Sequence, residues 1–227
     1  MKKRIGIVSW KTTGDSVGIT APYYNFIKRF GQVVILTPGQ IDLTLDLLIL
    51  PGGPDISAYH YNNDEPSVYN GNNCSFREFF FKNSLPVYIE NKIPIFGICL
   101  GMQQIAVHFG IPLIQHYAFP YSSNRTDREE KLSIINSEIW THHFDISGKS
   151  INEISKDYKV NSMHHQGVHI DSLNENIVPL AISANCKNIE ILMHKELPII
   201  GVQYHPEEIN DFLSTVLIKK LLQNVQQ

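Results

Sequence analysis

The residue best suited to covalent chemistry in this chain is Cys99, in the stretch PIFGICLGMQQ (94–104). Gly97 and Gly101 lie two residues before and after it, where an apolar strand pattern gives way to a helical one. Two interpretations are open. A free cysteine packs well as a small hydrophobe. Alternatively, glycines around a sharp strand-to-helix turn present the central side chain at a helix N-terminus, where the dipole favours a thiolate.

A second strand end carries the residues that a cysteine nucleophile needs. The stretch GVQYHPE places His205 after an apolar run and Glu207 two residues later. Ligands of open α/β sheets bind outside the carboxyl ends of the strands, so we expect His205 to lie beside Cys99. The imidazole would accept the thiol proton, and Glu207 would bind the other ring nitrogen and fix its tautomer. The spacing therefore predicts a Cys-His-Glu triad.

A third strand end, LILPGGPD (48–55), carries two adjacent glycines. Because they lack Cβ atoms, Gly52 and Gly53 allow the backbone to approach a reacting carbonyl closely. We expect the N–H groups of Gly53 and Leu100 to form an oxyanion hole, in which the loss of one donor costs about a hundredfold or more in rate. Each pattern alone is common in turns, but their order along the chain is specific.

The elements that would position these residues alternate along the first half of the chain. Short apolar runs predict strands, and amphipathic runs between them predict helices. The predicted strands are 4–9, 32–36, 45–53 and 93–99, and the predicted helices are 21–31, 75–92 with an interruption at Pro86, and 100–110. This alternation indicates an α/β fold with a mostly parallel open sheet and helices on both faces.

The second half of the chain has a different pattern. It predicts shorter strands over 112–115, 132–136, 158–162 and 189–193, a buried strand within 198–208, and a final helix over 209–225. No repeat or linker interrupts the 227 residues. We therefore expect one domain over residues 1–227.

Composition argues against several classes of function. A formal net charge of −3 offers no basic surface for nucleic acid. No apolar run approaches the roughly 20 residues of a membrane helix, and the one after MKKR is too short for a secretory signal. The three cysteines form no CxxC pair, which favours a reducing, cytoplasmic location over a disulfide framework or zinc site. Most of the ten histidines stand alone, so we expect no metal and no cofactor.

The stretches LPGGPD, GICLGMQ and GVQYHPE together resemble the class I glutamine amidotransferase superfamily, and the resemblance covers nearly the whole chain. It implies a flavodoxin-like sandwich in which Cys99, His205 and Glu207 are the catalytic residues. It also implies that Gly53 and Leu100 are the oxyanion donors and that Gly52 and Gln103 contact the substrate.

Two further segments resemble the branch of free-standing γ-glutamyl hydrolases, peptidase C26. In the first, the matching residues are Asp55, Tyr61, Glu65, Pro66, Arg77 and Glu78. The second, VNSMHHQGV (160–168), implies that His165, Gln166 and Gly167 hold the α-amino and carboxylate ends of a substrate. Packing within a loop is the alternative for His164 and His165.

The resemblance to this branch implies a small-molecule γ-glutamyl conjugate as the partner. Its leaving group would be an amine such as γ-aminobutyrate. A phosphoramidate is the other option, as in the γ-glutamyl-CDP-amidate of bacterial capsule pathways.

The chain departs from the hydrolase pattern at two points. Leu100 stands where those hydrolases usually carry arginine, as in many synthetase subunits, and the stretch REFFFK lacks a later acidic residue. An ammonia-supplying glutaminase subunit with a synthetase partner is therefore the alternative function. A catalytically inactive binding module on the same fold is a third reading, which the filled triad positions oppose.

The segment 118–150 has no assigned role. Arg125 and Arg128 are suited to an anionic leaving group such as a phosphate. The alternative is a solvated loop in which they accompany the neighbouring acidic residues.

Overall fold

The computed structural model describes residues 2–12, 16–37, 39–61, 74–117, 129–146, 150–155, 158–209 and 211–223. In chain order, the strands of this part are β1 Arg4–Val8, β2 Trp10–Lys11, β3 Val17–Gly18, β4 Gln32–Leu36, β5 Leu47–Leu50, β6 Ile95–Ile98, β7 Glu129–Ile134, β8 Lys159–Asn161, β9 Ile177–Ser183, β10 Ile189–His194 and β11 Ile199–Val202. The helices are α1 Ala21–Ile27, α2 Ser75–Asn83, α3 Leu85–Glu90, α4 Leu100–His108, α5 Ser137–His143, α6 Ile151–Ser155, α7 Pro206–Ile209 and α8 Phe212–Gln223.

Nine of the described strands form one sheet, in the order β4-β1-β5-β6-β11-β10-β9-β7-β8. The first five strands pair in parallel. From β11 onward the pairing is antiparallel through β10, β9, β7 and β8. The carboxyl ends of β5, β6 and β11 therefore lie side by side in the parallel half, as the sequence predicts.

The central strands β5, β6 and β11 are buried on both faces of the sheet, to which their side chains point alternately. Leu47 and Ile49 of β5 pack into one apolar cluster, with residues of α1, α5 and α8. Leu48 and Leu50 pack into the other, with residues of α2, α3 and α4. Continuous apolar runs such as LLIL are typical of strands covered on both sides. The expected α/β fold with helices on both faces is confirmed.

The predicted elements of the first half are observed with shifts of a few residues at their ends. The helix predicted over 75–92 ends at Asn83 and restarts at Leu85, because Pro86 has no N–H to donate and is tolerated only in the first turn of a helix.

The second half departs further from the prediction. The longest strand there, β9, was not predicted, and the strand predicted over 112–115 is reduced to an isolated bridge between Ile114 and Gly167. A small hairpin of β2 and β3 was also missed, since two-residue strands give no periodic signal.

None of the helices in the described ranges is both long and apolar enough to cross a membrane.

Candidate active site

Cys99 lies at the turn between β6 and α4, and its backbone is strained there. Its φ of 50° and ψ of −105° are unfavourable for a residue with a Cβ. Its N–H donates to the Val202 carbonyl at 2.8 Å, so the turn continues the ladder between β6 and β11. A buried non-glycine residue held in such a conformation is a common sign of a functional turn.

The glycines beside Cys99 allow α4 to lie against the sheet. A Cβ at Gly101 would lie 2.1 Å from the Leu50 carbonyl oxygen of β5. A Cβ at Gly97 would lie 2.7 Å from the Met102 nitrogen. Both contacts are with backbone that cannot move aside, so the sharp turn requires glycine at these two positions.

His205 follows β11 and is bound to Glu207. Its Nδ1 lies 2.6 Å from Glu207 Oε1. Burial lowers the pKa of His205, but attraction to a Cys99 thiolate and to Glu207, with the hydrogen bonds they make, outweighs burial and raises it. Asn161 of β8 fixes the backbone of His205, accepting from its N–H at 2.8 Å and donating to its carbonyl at 2.9 Å. This arrangement is able to accept a thiol proton and hold the resulting imidazolium.

Gln203 contacts the sulfur of Cys99. Its side chain is buried, and Nε2 donates to Cys99 Sγ at 3.7 Å. Its Oε1 accepts from Gln103 Nε2 at 3.4 Å. Gln203 was not predicted as a site residue, although it lies within the stretch GVQYHPE.

Tyr23 of α1 is a second site residue that the sequence analysis missed. Its hydroxyl accepts from the Gly52 N–H at 2.8 Å and lies 3.4 Å from His205 Nδ1. Burial and the nearby Glu207 charge raise the pKa of Tyr23, so the hydroxyl stays protonated. No spacing within the helix pattern of 21–31 could have singled out this residue, because its contacts come from distant parts of the chain.

The two glycines after β5 lie against His205 and α4. A Cβ at Gly52 would meet His205 Cε1 at 2.4 Å, and one at Gly53 would meet Leu100 Cδ2 at 2.8 Å. Leu100 is the first residue of α4, and its N–H has no carbonyl to bind within that helix. The structure thus brings Gly52, Gly53 and Leu100 next to the turn at Cys99.

Three of the predicted substrate contacts are engaged in bonds within the protein. Gln103 Nε2 donates to the Gln166 carbonyl at 2.9 Å. The Gln166 side chain accepts from the Ile56 N–H at 3.2 Å and donates to the Tyr61 hydroxyl at 3.0 Å. Gly167 pairs with Ile114, and a Cβ there would meet Asn188 Oδ1 at 2.2 Å. These contacts fix the segment after Gly53; the predicted contact of these residues with substrate stays a prediction.

The two adjacent histidines point into different surroundings. His165 Nε2 lies 3.0 Å from both carboxylate oxygens of Asp55, and the hydrogen bond to Asp55 raises the pKa of His165 against the opposing effect of burial. His164 is buried, and its Nε2 lies 3.9 Å from Glu190 Oε1.

His164 belongs to a cluster of side chains with atoms of the kind that bind metal ions. Those of Glu130, His164 and Glu190 all lie within 4.8 Å of one another, and all three residues are buried. These three residues lie far apart in the sequence, so no sequence pattern predicted this cluster. The expectation that the protein has no metal stays a prediction.

A cavity of about 1020 Å³ opens beside the predicted triad. His205, Glu207 and Gly53 line it, together with Trp10 and Lys11 of β2. Of the other residues singled out above, Glu65, Pro66, Arg125 and Arg128 lie outside the described residues.

The fold is that of class I glutamine amidotransferases. A structure classed as a GMP synthase subunit protein from Thermoplasma acidophilum matches with a TM-score of 0.64 and 23% identity, over 99% of this chain and 94% of that one. A glutamine amidotransferase from Thermotoga maritima matches with a TM-score of 0.57 and 16% identity, over 99% and 90%.

The family is shown by the sequence comparisons. A model of the family Peptidase C26 matches residues 4–207, and the chain belongs to this family. A glutamine amidotransferase-like protein, YvdE of Lactococcus lactis subsp. lactis, is 30% identical over 82% of this chain and 78% of its own length. A GMP synthase (glutamine-hydrolysing) subunit of Pyrococcus abyssi is 32% identical over 63% of this chain and 62% of its own.

Proposed function

We propose that the protein is a cysteine-dependent hydrolase that cleaves the γ-glutamyl amide bond of a small conjugate and releases glutamate. The observation that carries this proposal is the bond of His205 to Glu207 at 2.6 Å, at a strand end next to the turn that bears Cys99. Membership of the Peptidase C26 family supports the same class of reaction. We assign Cys99 as the nucleophile, His205 as general base and acid, and Glu207 as the residue that orients His205.

The first half of the reaction forms a thioester. The Cys99 thiolate attacks the δ-carbonyl carbon of the γ-glutamyl group, and the N–H groups of Gly53 and Leu100 stabilise the oxyanion. The C–N bond then breaks as His205 gives its proton to the departing nitrogen. The amine leaves, and the γ-glutamyl group remains bound to sulfur.

The second half of the reaction releases glutamate. Neutral His205 takes a proton from water, and the oxygen attacks the thioester carbonyl carbon. The C–S bond breaks, so glutamate leaves and the Cys99 thiolate is restored beside the imidazolium. The chemistry needs no bound cofactor, and it requires a free thiol. Cys99 is a free cysteine in the structure.

The leaving group occupies the same cavity in this proposal. Trp10 and Phe76 supply aromatic surface to its lining, and Lys11 supplies a positive charge. Aromatic surface and a cation suit a leaving group with an apolar or planar part and an anionic part. Either γ-aminobutyrate or a nucleotide-linked phosphoramidate, as in capsule pathways, meets the requirement for an anion.

A glutaminase subunit that supplies ammonia to a synthetase partner is the second candidate. Two observations favour it: Leu100 after the nucleophile, and the similarity to the GMP synthase subunit of Pyrococcus abyssi. Such a protein would act on glutamine itself.

The experiment that tests the proposal is glutamate release from a panel of γ-glutamyl compounds. The panel contains glutamine, γ-glutamyl-γ-aminobutyrate, γ-glutamyl peptides and a γ-glutamyl phosphoramidate nucleotide. We expect strong turnover of one conjugate over glutamine, abolished in Cys99→Ala and retained in Cys186→Ala, whose half-buried thiol lies outside the cavity. Turnover of glutamine alone would favour the synthetase subunit, and equal turnover by Cys99→Ala would refute both.

A further inference from the structure

Arg77 of α2 is a buried cation beside the candidate active site. Its side chain is 2% exposed. Within the described part of the chain, no carboxylate lies at ion-pair distance from its guanidinium. A buried charge without an opposite charge is costly unless other groups bind it well. The groups that bind Arg77 are therefore informative.

Both terminal nitrogens of Arg77 bind the segment between β5 and the cavity. Nη2 donates to the Pro51 carbonyl at 2.7 Å, and Nη1 donates to the Gly52 carbonyl at 3.3 Å. On the other side, the Gly52 N–H donates to the Tyr23 hydroxyl. The two peptide groups that flank Gly52 are thus held by three hydrogen bonds from two side chains.

The bond to the Gly52 carbonyl also fixes the next N–H. Carbonyl and N–H point to opposite sides of a trans peptide, and the described residues contain no cis peptide bond. Since the Gly52 carbonyl faces Arg77, the Gly53 N–H faces away from Arg77. Gly53 lies next to α4, since a Cβ on it would lie 2.8 Å from Leu100 Cδ2 and 3.9 Å from Arg77 Nη1. If the Gly52–Gly53 peptide rotated, the Gly52 carbonyl would point to where the Gly53 N–H now points. Arg77 would then lose a hydrogen-bond acceptor in a buried site.

We propose that Arg77 is a positioning residue that holds the Gly52–Gly53 peptide with its N–H available to an oxyanion, so that the oxyanion hole is formed before substrate binds. This inference rests on the proposed function for its catalytic consequence, but not for the orientation of the peptide. Burial lowers the pKa of Arg77 to about 10, so its side chain remains charged at neutral pH. An oxyanion hole formed in this way needs no partner protein to rotate the peptide.

The test compares Arg77→Met and Arg77→Lys with the wild type. Arg77→Met removes both donors and also a buried charge that has no carboxylate partner, so the fold is expected to survive. With the best substrate of the panel, we expect kcat to fall about a hundredfold in Arg77→Met, as for loss of one oxyanion donor. KM should change by less than about threefold, and Arg77→Lys should retain part of the activity.

Two further measurements separate positioning from general damage to the site. The rate at which iodoacetamide alkylates Cys99 should fall far less than kcat in Arg77→Met, because it depends on the thiolate, which Arg77 only attracts through space, and not on the oxyanion hole. A crystal structure of Arg77→Met should show the Gly52–Gly53 peptide turned over or in two orientations. Arg4→Lys is the matched control. The Arg4 guanidinium pairs with Asp42 at the amino end of β1, away from the carboxyl ends of the strands that carry the site, so this variant should keep full activity.

The outcomes that overturn the inference are distinct from those that overturn the proposed function. A kcat within threefold of wild type, an equal loss of iodoacetamide reactivity, or an unchanged peptide in the crystal would each refute the role of Arg77. If Arg77→Met does not fold, the same measurements on Arg77→Lys decide. If the wild type hydrolyses no γ-glutamyl compound, the proposed function fails, and the crystal structure still tests the orientation of the peptide.

Discussion

At the scale of single residues, the candidate site contains two kinds of charged contact. His205 and Glu207 form a largely buried pair near Cys99, and His165 and Asp55 form a pair at the segment after Gly53. In the second pair the two side chains are 21% and 19% exposed, so solvent screens it only in part. Both nitrogens of His165 face acceptors, since Nδ1 lies 3.0 Å from the Gln115 carbonyl. The protonated ring is therefore favoured.

This second pair predicts a dependence of stability on pH. The pKa of His165 is raised in the folded protein, chiefly by its bond to Asp55. A group with a raised folded pKa stabilises fully below its unfolded pKa, near 6.5 for histidine, and the contribution is lost as pH rises through the folded value. We expect Asp55→Asn to lower the free energy of unfolding by about 1 kcal/mol more at pH 6 than at pH 9. Urea denaturation at the two pH values measures this difference.

Asp42→Asn is the control for this experiment. Asp42 pairs with Arg4 at 2.7 Å, and arginine does not titrate between pH 6 and pH 9. The cost of Asp42→Asn should therefore be the same at both pH values. A cost of Asp55→Asn that is equally independent of pH would contradict the assigned role of His165.

At the scale of secondary-structure elements, the turn between β6 and α4 holds Cys99, the proposed nucleophile, in an unfavourable conformation. Cys99 has a positive φ, and Gly97 and Gly101 leave room for the close approach of α4. Strain of this kind costs about 1–3 kcal/mol at a residue with a Cβ. Glycine adopts positive φ without that cost, although it loses about 0.5–1 kcal/mol through its greater unfolded-state entropy.

The strained turn predicts an inverted order of stability between two inactive variants. We expect Cys99→Gly to be more stable than Cys99→Ala by about 1 kcal/mol, because relief of strain exceeds the entropy cost. The measurement is the free energy of unfolding from urea titration of both proteins. The same pair of substitutions at Cys186 is the control, since the described residues with positive φ do not include it. We expect Cys186→Gly to be less stable than Cys186→Ala by about 1 kcal/mol. If Cys99→Gly were likewise less stable than Cys99→Ala, the turn at Cys99 would carry no strain.

How much could be predicted from the sequence also differs between elements. The strands and helices that carry Cys99, Gly53 and His205 follow from continuous apolar runs ended by glycine or proline, and these patterns are local. The antiparallel half was predicted less well, because strands such as β9 (IVPLAIS) are partly exposed and contain proline. Tyr23, Gln203 and the orientation of Arg77 could not be predicted, since their contacts come from residues distant in sequence.

At the scale of the whole molecule, the parallel and antiparallel halves of the sheet share one core. The apolar cluster on one face includes Ile5 and Ile49 of the parallel half together with Leu132 and Val160 of β7 and β8. Helix α5 contributes Trp140 to the same cluster, and its indole N–H donates to the Leu180 carbonyl of β9 at 3.1 Å. A cluster that crosses the sheet in this way couples the two halves energetically. The prediction of one domain over residues 1–227 stays a prediction.

The two tryptophans of the chain provide a test of this coupling. Trp10 packs against Tyr23 at the candidate site, with ring centroids 5.8 Å apart, whereas Trp140 lies under the antiparallel half. In Trp140→Phe the fluorescence reports on the site, and in Trp10→Phe it reports on the far half of the sheet. If the chain unfolds as one unit, the urea midpoint from fluorescence should equal the midpoint from far-UV circular dichroism in each variant. Because both signals come from the same sample, the loss of stability from truncating buried Trp140 does not affect this comparison. A fluorescence transition in Trp10→Phe at lower urea than the dichroism transition would mean that the antiparallel half unfolds separately, and that the site is carried by the parallel half alone.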